Sequence, residues 1–248
     1  MIKYNNKTIN DFYFDTSNLV KVYRNNAVCY YKISGGGDTP CTHTEIEYIE
    51  YSGGSNNYGG LQLLTNVTND YYFEVECQAL NFSGSMNIVT QKSSVEVVSY
   101  QMGLEFYSNM FLDYGGGRLT TTINSNIQKA RHTYGAGFIS GSSYTNKLGV
   151  KIDGNITATK NTTVTVENLP YLVGCIEYSG HTASDVKYAD NNNEAARIYS
   201  VKIYKDYGDT LVGDYIPVID LNNVVTLYDK ISGKYATPFG TLLAGPIV

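Results

Sequence analysis

Three glutamates give this sequence its nearest approach to a catalytic pair of carboxylates. Glu45, Glu47 and Glu50 follow the spacing E-x-E-x-x-E. Hydrolysis of a glycosidic bond needs two carboxyl groups, one on either side of that bond. Enzymes that carry such a pair on one strand typically show E-x-D-x-x-E. Here the middle residue is Glu and the run falls in the opening strand of the main domain, so we interpret it as a solvated strand face.

The other residues that could do chemistry lack the spacing that their chemistry needs. His43, His132 and His181 are far apart, without H-x-x-x-H spacing or a cysteine at ligand distance. No G-x-S-x-G elbow occurs, and the two triple-glycine runs lack the G-K-[ST] of a phosphate loop. A serine triad assembled by the fold stays open. The sequence therefore predicts a protein that is not an enzyme.

Four side chains near a glycine-rich turn are the best candidates for contact with a glycan. Tyr114, Arg118, His132 and Tyr134 flank the turn at 113–118 and the segment after it. Ligand sites combine aromatic side chains with a few polar groups, and loops at a rim would present both. Because tyrosine is abundant in this chain, the alternative is that some of these tyrosines are structural.

The elements that must position these residues are strands. The chain of 248 residues contains 24 Tyr, 24 Gly and no Trp, which suits strands and tight turns. Tyr199, Val201 and Ile203 occupy alternate positions, the period of a strand with one buried face. Turn signals recur between such runs, and this pattern predicts an all-β fold with two antiparallel sheets packed as a sandwich.

The strand runs can be placed along the chain. An Asp-Gly pair at 153–154 predicts a tight hairpin turn, and 181–194 reads as a polar loop that could hold one helical turn. The strands are predicted at 45–51, 71–80, 86–90, 95–99, 104–112, 129–133, 147–152, 157–160, 164–166, 172–178, 199–203, 211–218 and 224–228.

The C-terminal part carries a resemblance to a known family. Residues 196–245 contain R-I-Y-S-x-K-I-Y, L-V-x-D-Y-I-P-V, V-x-L-Y-D-K-x-S-G-K-Y and F-G-T-x-x-A-G in order. This pattern resembles the laminin-G-like, concanavalin-A-like jelly roll of structural proteins from tailed bacteriophages and prophages of gut bacteria. The resemblance implies such a jelly roll over 41–248. The resemblance also implies that a calcium ion could bind at the sandwich rim, although no calcium-loop spacing links the candidate ligands. These candidates are Asp113, Asp153 and Asp190.

A small unit precedes the jelly roll. Residues 19–23 and 27–33 predict two strands joined at Asn25-Asn26, a pair that suits a tight turn. An isolated hairpin is marginal in water, and this one has little polar face, so it should pack on its own domain, a sister subunit or another protein. We place this module at 1–33, a glycine-rich linker at 34–40 and the jelly roll after it. The alternative is an extra hairpin of the same domain.

The module also resembles a known segment. Its I-K-Y-x-x-K-x-I-x-D-x-Y-F and V-K-V-Y-R-N-x-A-V-x-Y-Y-K are similar to N-terminal modules that attach phage structural proteins to the particle. The resemblance implies an attachment interface formed by Val22, Tyr23, Val28, Tyr30 and Tyr31.

The resemblance implies a function for the whole chain. The chain would be a non-enzymatic virion structural protein, either a capsid or tail decoration or a short fibre. Residues 1–37 would bind other virion proteins, and the jelly roll would project outward and could adhere to a host-surface polysaccharide. Such proteins usually form homo-oligomers, with a trimer as the favoured form. The alternatives are a glycan-binding adhesin of a bacterial surface and, more weakly, a glycoside hydrolase.

Charge and cysteine content restrict the partners and the compartment. The formal net charge is −5 and the 18 basic residues form no run, so nucleic-acid binding is not expected. No apolar stretch approaches the roughly 20 residues that span a bilayer, and the N-terminus lacks the apolar region of a secretory signal. We predict free thiols, with two disulfides as the alternative, and a virion protein made in a reducing host cytoplasm. The four cysteines are Cys29, Cys41, Cys77 and Cys175.

Overall fold

A computed structural model provides the structure of the chain. The backbone alone is described at 2–4, 7–9, 12–14, 19–24, 27–34, 37–38, 52 and 111. Backbone and side chains are described at 43–51, 59–81, 86–91, 102–106, 109–110, 112–114, 117–122, 127, 129–142, 144–174 and 195–248.

The described residues are almost entirely β. One short 3₁₀ turn, Asp206–Gly208, follows the longest run of alternating residues. The strands are β1 (Ile2–Tyr4), β2 (Lys7–Ile9), β3 (Phe12–Phe14), β4 (Leu19–Arg24), β5 (Ala27–Ser34), β6 (Gly37–Asp38), β7 (His43–Glu45), β8 (Ile49–Ser52), β9 (Gly59–Val67), β10 (Tyr72–Asn81), β11 (Met86–Gln91), β12 (Met102–Phe106), β13 (Met110–Tyr114), β14 (Gly117–Thr121), β15 (His132–Gly141), β16 (Asn146–Ile152), β17 (Asn155–Thr162), β18 (Leu169–Val173), β19 (Ala195–Lys205), β20 (Thr210–Asp220), β21 (Val225–Asp229), β22 (Lys234–Tyr235), β23 (Thr237–Gly240) and β24 (Leu243–Ala244).

Two antiparallel sheets make up the main domain. The large sheet has 11 strands in the order β17-β16-β15-β10-β19-β20-β21-β22, with β8 also paired to β19, β7 to β20 and β24 to β8. The small sheet has seven strands in the order β14-β13-β12-β11-β18-β9-β23. This arrangement confirms the prediction of a two-sheet antiparallel sandwich.

The core lies between the two sheets. Phe73 of the large sheet and Tyr171 of the small sheet meet edge to face with ring centroids 5.0 Å apart. Tyr134 and Phe106 meet across the same gap at 4.8 Å. Such edge-to-face contacts are favourable beyond the area that they bury. Cys77 is a free thiol within this core, and burial raises its pKa.

Two strands predicted from the sequence are in fact pairs of strands. The predicted strand 45–51 is interrupted: β7 pairs with β20 and β8 pairs with β19. Ile46 and Ile49 are both buried although they are three positions apart, so the chain changes pairing partner between them. The predicted strand 104–112 is wrong for a similar reason, because Phe106 pairs with Met110 in a hairpin of β12 and β13.

Other predicted strands have different ends. The predicted strand 129–133 is wrong, because β15 begins only at His132. Residues 164–166 form no strand, and β18 begins at Leu169, before the predicted start at 172. The Asp153-Gly154 turn is confirmed, with φ angles of 49° and 79°. Predicted strand 95–99 and loop 181–194 lie outside the described residues.

The N-terminal hairpin is present in the backbone. β4 and β5 pair antiparallel, and Arg24 lies opposite Ala27 at the predicted Asn25-Asn26 turn. β6, within the predicted linker, pairs with the end of β5. The attachment interface and the module boundaries stay predictions, since the side chains of this region lie outside the described residues.

Candidate functional site

Two of the four residues predicted to contact a glycan face the core. The Tyr134 side chain is fully buried, and its hydroxyl donates a hydrogen bond of 3.0 Å to the carbonyl of Ile127. Burial raises its pKa. Tyr114 is 5% exposed and packs between the sheets. A ligand in solvent does not reach Tyr134 and meets almost none of Tyr114.

His132 lies at the start of β15 within hydrogen-bonding distance of the hairpin turn. Its Nδ1 is 2.7 Å from Oδ2 of Asp153, and Oδ1 of Asp153 accepts the Thr133 N–H at 3.0 Å. Burial acts to raise the pKa of Asp153, but the bonds from Thr133 and His132 outweigh it and leave that pKa lowered. The carboxylate that was considered for calcium is therefore held by its neighbours.

Arg118 is placed with two acidic side chains on the small sheet. It donates through Nη2 to Asp113 at 2.6 Å and to Glu105 at 2.9 Å, and Nε also contacts Asp113. The Glu105 and Asp113 side chains are only 10% and 12% exposed, whereas Arg118 is 47% exposed. We call Glu105, Asp113 and Arg118 the arginine cluster.

Strand register puts the arginine cluster on the outer face of the small sheet. Asp113 lies between Leu112 and Tyr114, which both face the core, and it pairs directly with Arg118. Glu105 likewise lies between two core residues of β12. Glu105 was not among the site residues predicted from the sequence. The available indication was an acidic residue inside the apolar run MGLEF, just as Asp113 interrupts MFLDY.

The two calcium candidates that the structure describes have different partners. Asp113 belongs to the arginine cluster, Asp153 pairs with His132, and Asp190 lies outside the described residues. Within the described ranges, no group of three or more His, Cys, Asp or Glu side chains is arranged to hold a metal ion. The glutamates of the E-x-E-x-x-E run also have other partners: Glu47 pairs with Arg131 at 3.5 Å and Glu50 with Arg197 at 3.0 Å.

A cavity of about 770 Å³ opens at one end of the sandwich. Three loops form it: the turn before β10, the segment before β18 and the 3₁₀ turn between β19 and β20. We call this cavity the end pocket. Its lining residues are Thr68, Asn69, Asp70, Thr165, Val166, Asp206, Tyr207 and Asp209.

Hydrogen bonds from one asparagine join two of these loops. Asn69 Nδ2 donates to the carbonyl of Val164 at 2.8 Å, and its Oδ1 accepts the N–H of Val166 at 2.9 Å. The N–H of Tyr207 donates to the carbonyl of Asp70 at 2.7 Å. The Asn69 side chain and one backbone hydrogen bond thus fix the three loops to one another.

The third loop has an unusual backbone. Asp206 and Tyr207 have φ angles of 54° and 61°, in the left-handed region that costs non-glycine residues roughly 1 kcal/mol or more each. Asp206 Oδ2 accepts a hydrogen bond from the Thr210 hydroxyl at 2.7 Å, which holds the turn. A Cβ on Gly141 would lie 2.7 Å from the Tyr207 hydroxyl, so glycine there allows the ring to approach β15.

The end pocket is acidic. Asp70, Asp206 and Asp209 contribute carboxylates, and no basic side chain is among the lining residues. The negative field reaches Tyr71 beside the pocket: burial raises the pKa of Tyr71, and Asp70 and Asp206 raise it further. Carboxylates accept hydrogen bonds from hydroxyl groups, and Tyr207, at 38% exposure, offers an aromatic surface.

The end pocket was not predicted from the sequence. K-D-Y-G-D at 205–209 was interpreted only as a turn between strands. The available indication was an aromatic residue between acidic ones in a tight connection.

Comparisons with known proteins agree with the fold. No protein-family model matches the chain, and no curated protein matches it. A solved structure from Bacteroides ovatus, named as a "putative carbohydrate binding protein", has a TM-score of 0.51 at 12% identity and covers 93% of this chain and 69% of its own. A lichenase from a mouse hindgut metagenome has a TM-score of 0.42 at 12% identity, covering 76% and 94%. The fold is therefore that of the concanavalin-A-like jelly rolls, whereas the bacteriophage part of the resemblance stays a prediction.

The prediction that this protein is not an enzyme was wrong. The solved structures similar to this chain are mainly glycoside hydrolases and polysaccharide lyases, including an alginate lyase of polysaccharide lyase family 7 with a TM-score of 0.36 at 12% identity, covering 77% of this chain and 81% of its own. The absence of one familiar carboxylate motif was too weak a basis for that prediction. At these identities the likeness itself extends to the fold alone.

Proposed function

We propose that this protein binds a cell-surface glycan as a component of a bacteriophage particle. The observation that carries the glycan part is the end pocket, which combines three carboxylates and two threonines with an exposed tyrosine. Polar groups converging in a concave site are the general feature of small-ligand recognition.

The chemistry of the end pocket fits a sugar. Asp70 and Asp206 each use one carboxylate oxygen on a neighbouring threonine hydroxyl, at 2.8 and 2.7 Å. Asp209 lines the same cavity. The hydroxyl groups of a sugar can donate to the remaining oxygen lone pairs. The Tyr207 ring supplies the apolar surface against which the C–H face of a pyranose packs.

The strained turn supports a binding role for the end pocket. Left-handed backbone at non-glycine residues occurs preferentially at binding and catalytic sites, where the rest of the structure enforces it. Here it holds Tyr207 at the pocket, and none of Asp206, Tyr207 and Gly208 is itself buried.

The virion part of the proposal rests on the N-terminal region. Its sequence resembles phage attachment modules, and its backbone forms the hairpin of β4 and β5. The region precedes a sandwich whose end pocket lies on loops, an arrangement suited to a protein held at one end and binding at another. The residues through which it would attach are Val22, Tyr23, Val28, Tyr30 and Tyr31.

A panel of polysaccharides tests the glycan part directly. The full chain is incubated with immobilised capsular and host polysaccharides, and retention is measured with folded protein verified by circular dichroism. We expect at least one polysaccharide to retain the protein, with a dissociation constant in the micromolar to millimolar range. Retention of the protein by none of them would overturn the proposal. Release of reducing sugar in the same samples reports whether a bound polysaccharide is also cleaved.

A further inference from the structure

We propose that the end pocket selects a glycan unit that carries a free, protonated amino group, such as an unacetylated amino sugar. This inference rests on the proposed function, because it names the class of sugar that the same pocket would bind. Two other classes are then disfavoured as ligands: neutral sugars, which include N-acetylated ones, and acidic sugars such as uronates.

The three carboxylates of the end pocket have no basic partner among the described side chains. No described ion pair includes Asp70, Asp206 or Asp209, and the other described lining residues are uncharged. The nearest basic residue along the chain, Lys205, lies on β19 opposite Thr210 and is not among the lining residues. At neutral pH the described lining of the pocket is therefore negatively charged.

Several carboxylates elsewhere in the described ranges lie beside a basic side chain. These pairs are Glu47–Arg131, Glu76–Arg131, Glu50–Arg197 and Asp214–Lys230, with N···O distances of 3.5, 2.7, 3.0 and 2.8 Å. In such pairs the protein itself supplies the neutralising cation. In the end pocket, a ligand would have to supply it.

The carboxylates of the end pocket are accessible to such a ligand. Thr68 donates to Oδ1 of Asp70, and Thr210 donates to Oδ2 of Asp206. No described side chain donates to the second oxygen of either carboxylate or to the carboxylate of Asp209. Asp206 and Asp209 are both exposed, so an ammonium group in solvent can reach them.

The size and charge distribution of the pocket fit an organic cation better than a metal ion. Within the described ranges, no group of three or more His, Cys, Asp or Glu side chains is arranged to hold a metal ion. The cavity of about 770 Å³ lies within the roughly 300–1,000 Å³ that is usual for sites of small organic molecules. The charges are thus distributed around a space that can hold a sugar unit.

Tyr207 provides a second favourable contact for an ammonium group. Its side chain is 38% exposed and lines the pocket together with Asp206 and Asp209. An ammonium group within about 6 Å of an aromatic ring is attracted to the face of that ring. A protonated amine in the pocket would therefore interact favourably with both the ring and the carboxylates.

Tyr71, beside the pocket, is subject to the same negative field. Burial raises the pKa of Tyr71, and Asp70 and Asp206 raise it further, because they disfavour a second negative charge nearby. The same repulsion would act on the carboxylate of a uronate or on a sulfate group. N-acetylation of an amino sugar would remove the positive charge that the carboxylates attract.

Saturation-transfer NMR titrations of the full chain at about pH 6, where an amine is protonated, test this selection. The probes are the methyl glycosides of glucosamine and galactosamine, their N-acetylated counterparts, and methyl galacturonate. We expect at least one amine to bind about tenfold or more tightly than its N-acetylated counterpart, and galacturonate to bind more weakly than both. Added salt should weaken the binding of the amine, because ions screen exposed charges.

Asp209→Asn and Glu47→Gln form a matched pair of substitutions. Each removes one carboxylate charge, but Asp209 lines the end pocket, whereas Glu47 pairs with Arg131 and is not among the lining residues. We expect Asp209→Asn to weaken binding of the amine about threefold or more and Glu47→Gln to leave it unchanged. Equal affinities for the amine and its N-acetylated counterpart, or equal effects of the two substitutions, would overturn the inference.

The outcomes also separate this inference from the proposed function. If a neutral sugar binds as tightly as the amines and Tyr207→Ala weakens its binding, the selection for an amine is wrong and the end pocket remains a glycan site. Absence of binding by both amines would also overturn the selection. The proposed function itself fails only if no polysaccharide retains the protein.

Discussion

At the scale of single residues, His43 is held between aromatic rings where β7 joins the large sheet. Its ring centroid lies 4.2 Å from that of Tyr228 and 6.1 Å from that of Tyr235. Burial lowers the pKa of His43 below its ordinary value of 6.5, because desolvation disfavours the charged imidazolium. The folded state therefore binds a proton at this site less readily than the unfolded chain does.

This difference predicts a pH dependence of stability. A lowered folded-state pKa means that the full stability is present above pH 6.5 and is lost as the pH falls through that value. We expect the free energy of unfolding to decrease between pH 8 and pH 5, and His43→Phe to make this decrease smaller. Denaturant unfolding at both pH values measures the effect. An identical decrease in the wild-type and substituted chains would show that His43 does not cause the pH dependence of stability.

Residue type alone could not separate buried tyrosines from exposed ones. Tyr134 and Tyr207 are the same residue near similar turns, yet the first is fully buried and the second is 38% exposed. The difference arises from which strand face each occupies and from the positive φ of Tyr207, neither of which the local sequence specifies. Arg118 was placed correctly beside the glycine-rich turn, because the hairpin of β13 and β14 follows from the turn itself.

At the scale of elements, β10 and β15 approach closely through a tyrosine and a glycine. Tyr72 is 1% exposed on the outer face of the large sheet, and Lys151 Nζ lies 4.6 Å from its ring centroid. A Cβ added to Gly135 would lie 1.7 Å from the Tyr72 hydroxyl and 2.6 Å from its Cζ. The bare glycine backbone therefore forms the surface on which this ring lies.

Substitution of Gly135 tests that packing. Gly135→Ala should lower the free energy of unfolding by about 1–3 kcal/mol, because the methyl group forces the buried ring to move. In a Tyr72→Ala background the same substitution should cost much less, and the double-mutant cycle measures the coupling. Additive effects in chemical denaturation would show that the ring and the glycine do not interact.

The positions of several strands could be predicted from the sequence, but the partners with which the strands pair could not. The alternation at β19 and the length of β20 follow from residues that face one core. The break between β7 and β8 could not be predicted. The chain changes from pairing with β20 to pairing with β19, whereas the run of apolar residues in the sequence shows no interruption. That change of partner is set by the tertiary pairing of distant strands.

At the scale of the whole molecule, the proposal separates an attaching end from a binding end. A chain that starts at Asp38 lacks the predicted attachment residues and keeps the sandwich. We expect this chain to fold and remain soluble but to be missing from purified particles, as measured by mass spectrometry. Full-length protein expressed at the same level is the control. Normal incorporation of the shortened chain would refute attachment through the N-terminal region.

The central claim is that the end pocket binds the glycan, and one binding comparison tests this claim most directly. The dissociation constant for a polysaccharide that retains the full chain is measured for wild type, Tyr207→Ala and Tyr144→Ala. Tyr144 is the matched control, since it is 89% exposed and does not line the end pocket. We expect Tyr207→Ala to weaken binding at least tenfold, or about 1.4 kcal/mol, and Tyr144→Ala to leave it unchanged. Equal dissociation constants for wild type and Tyr207→Ala would contradict the claim.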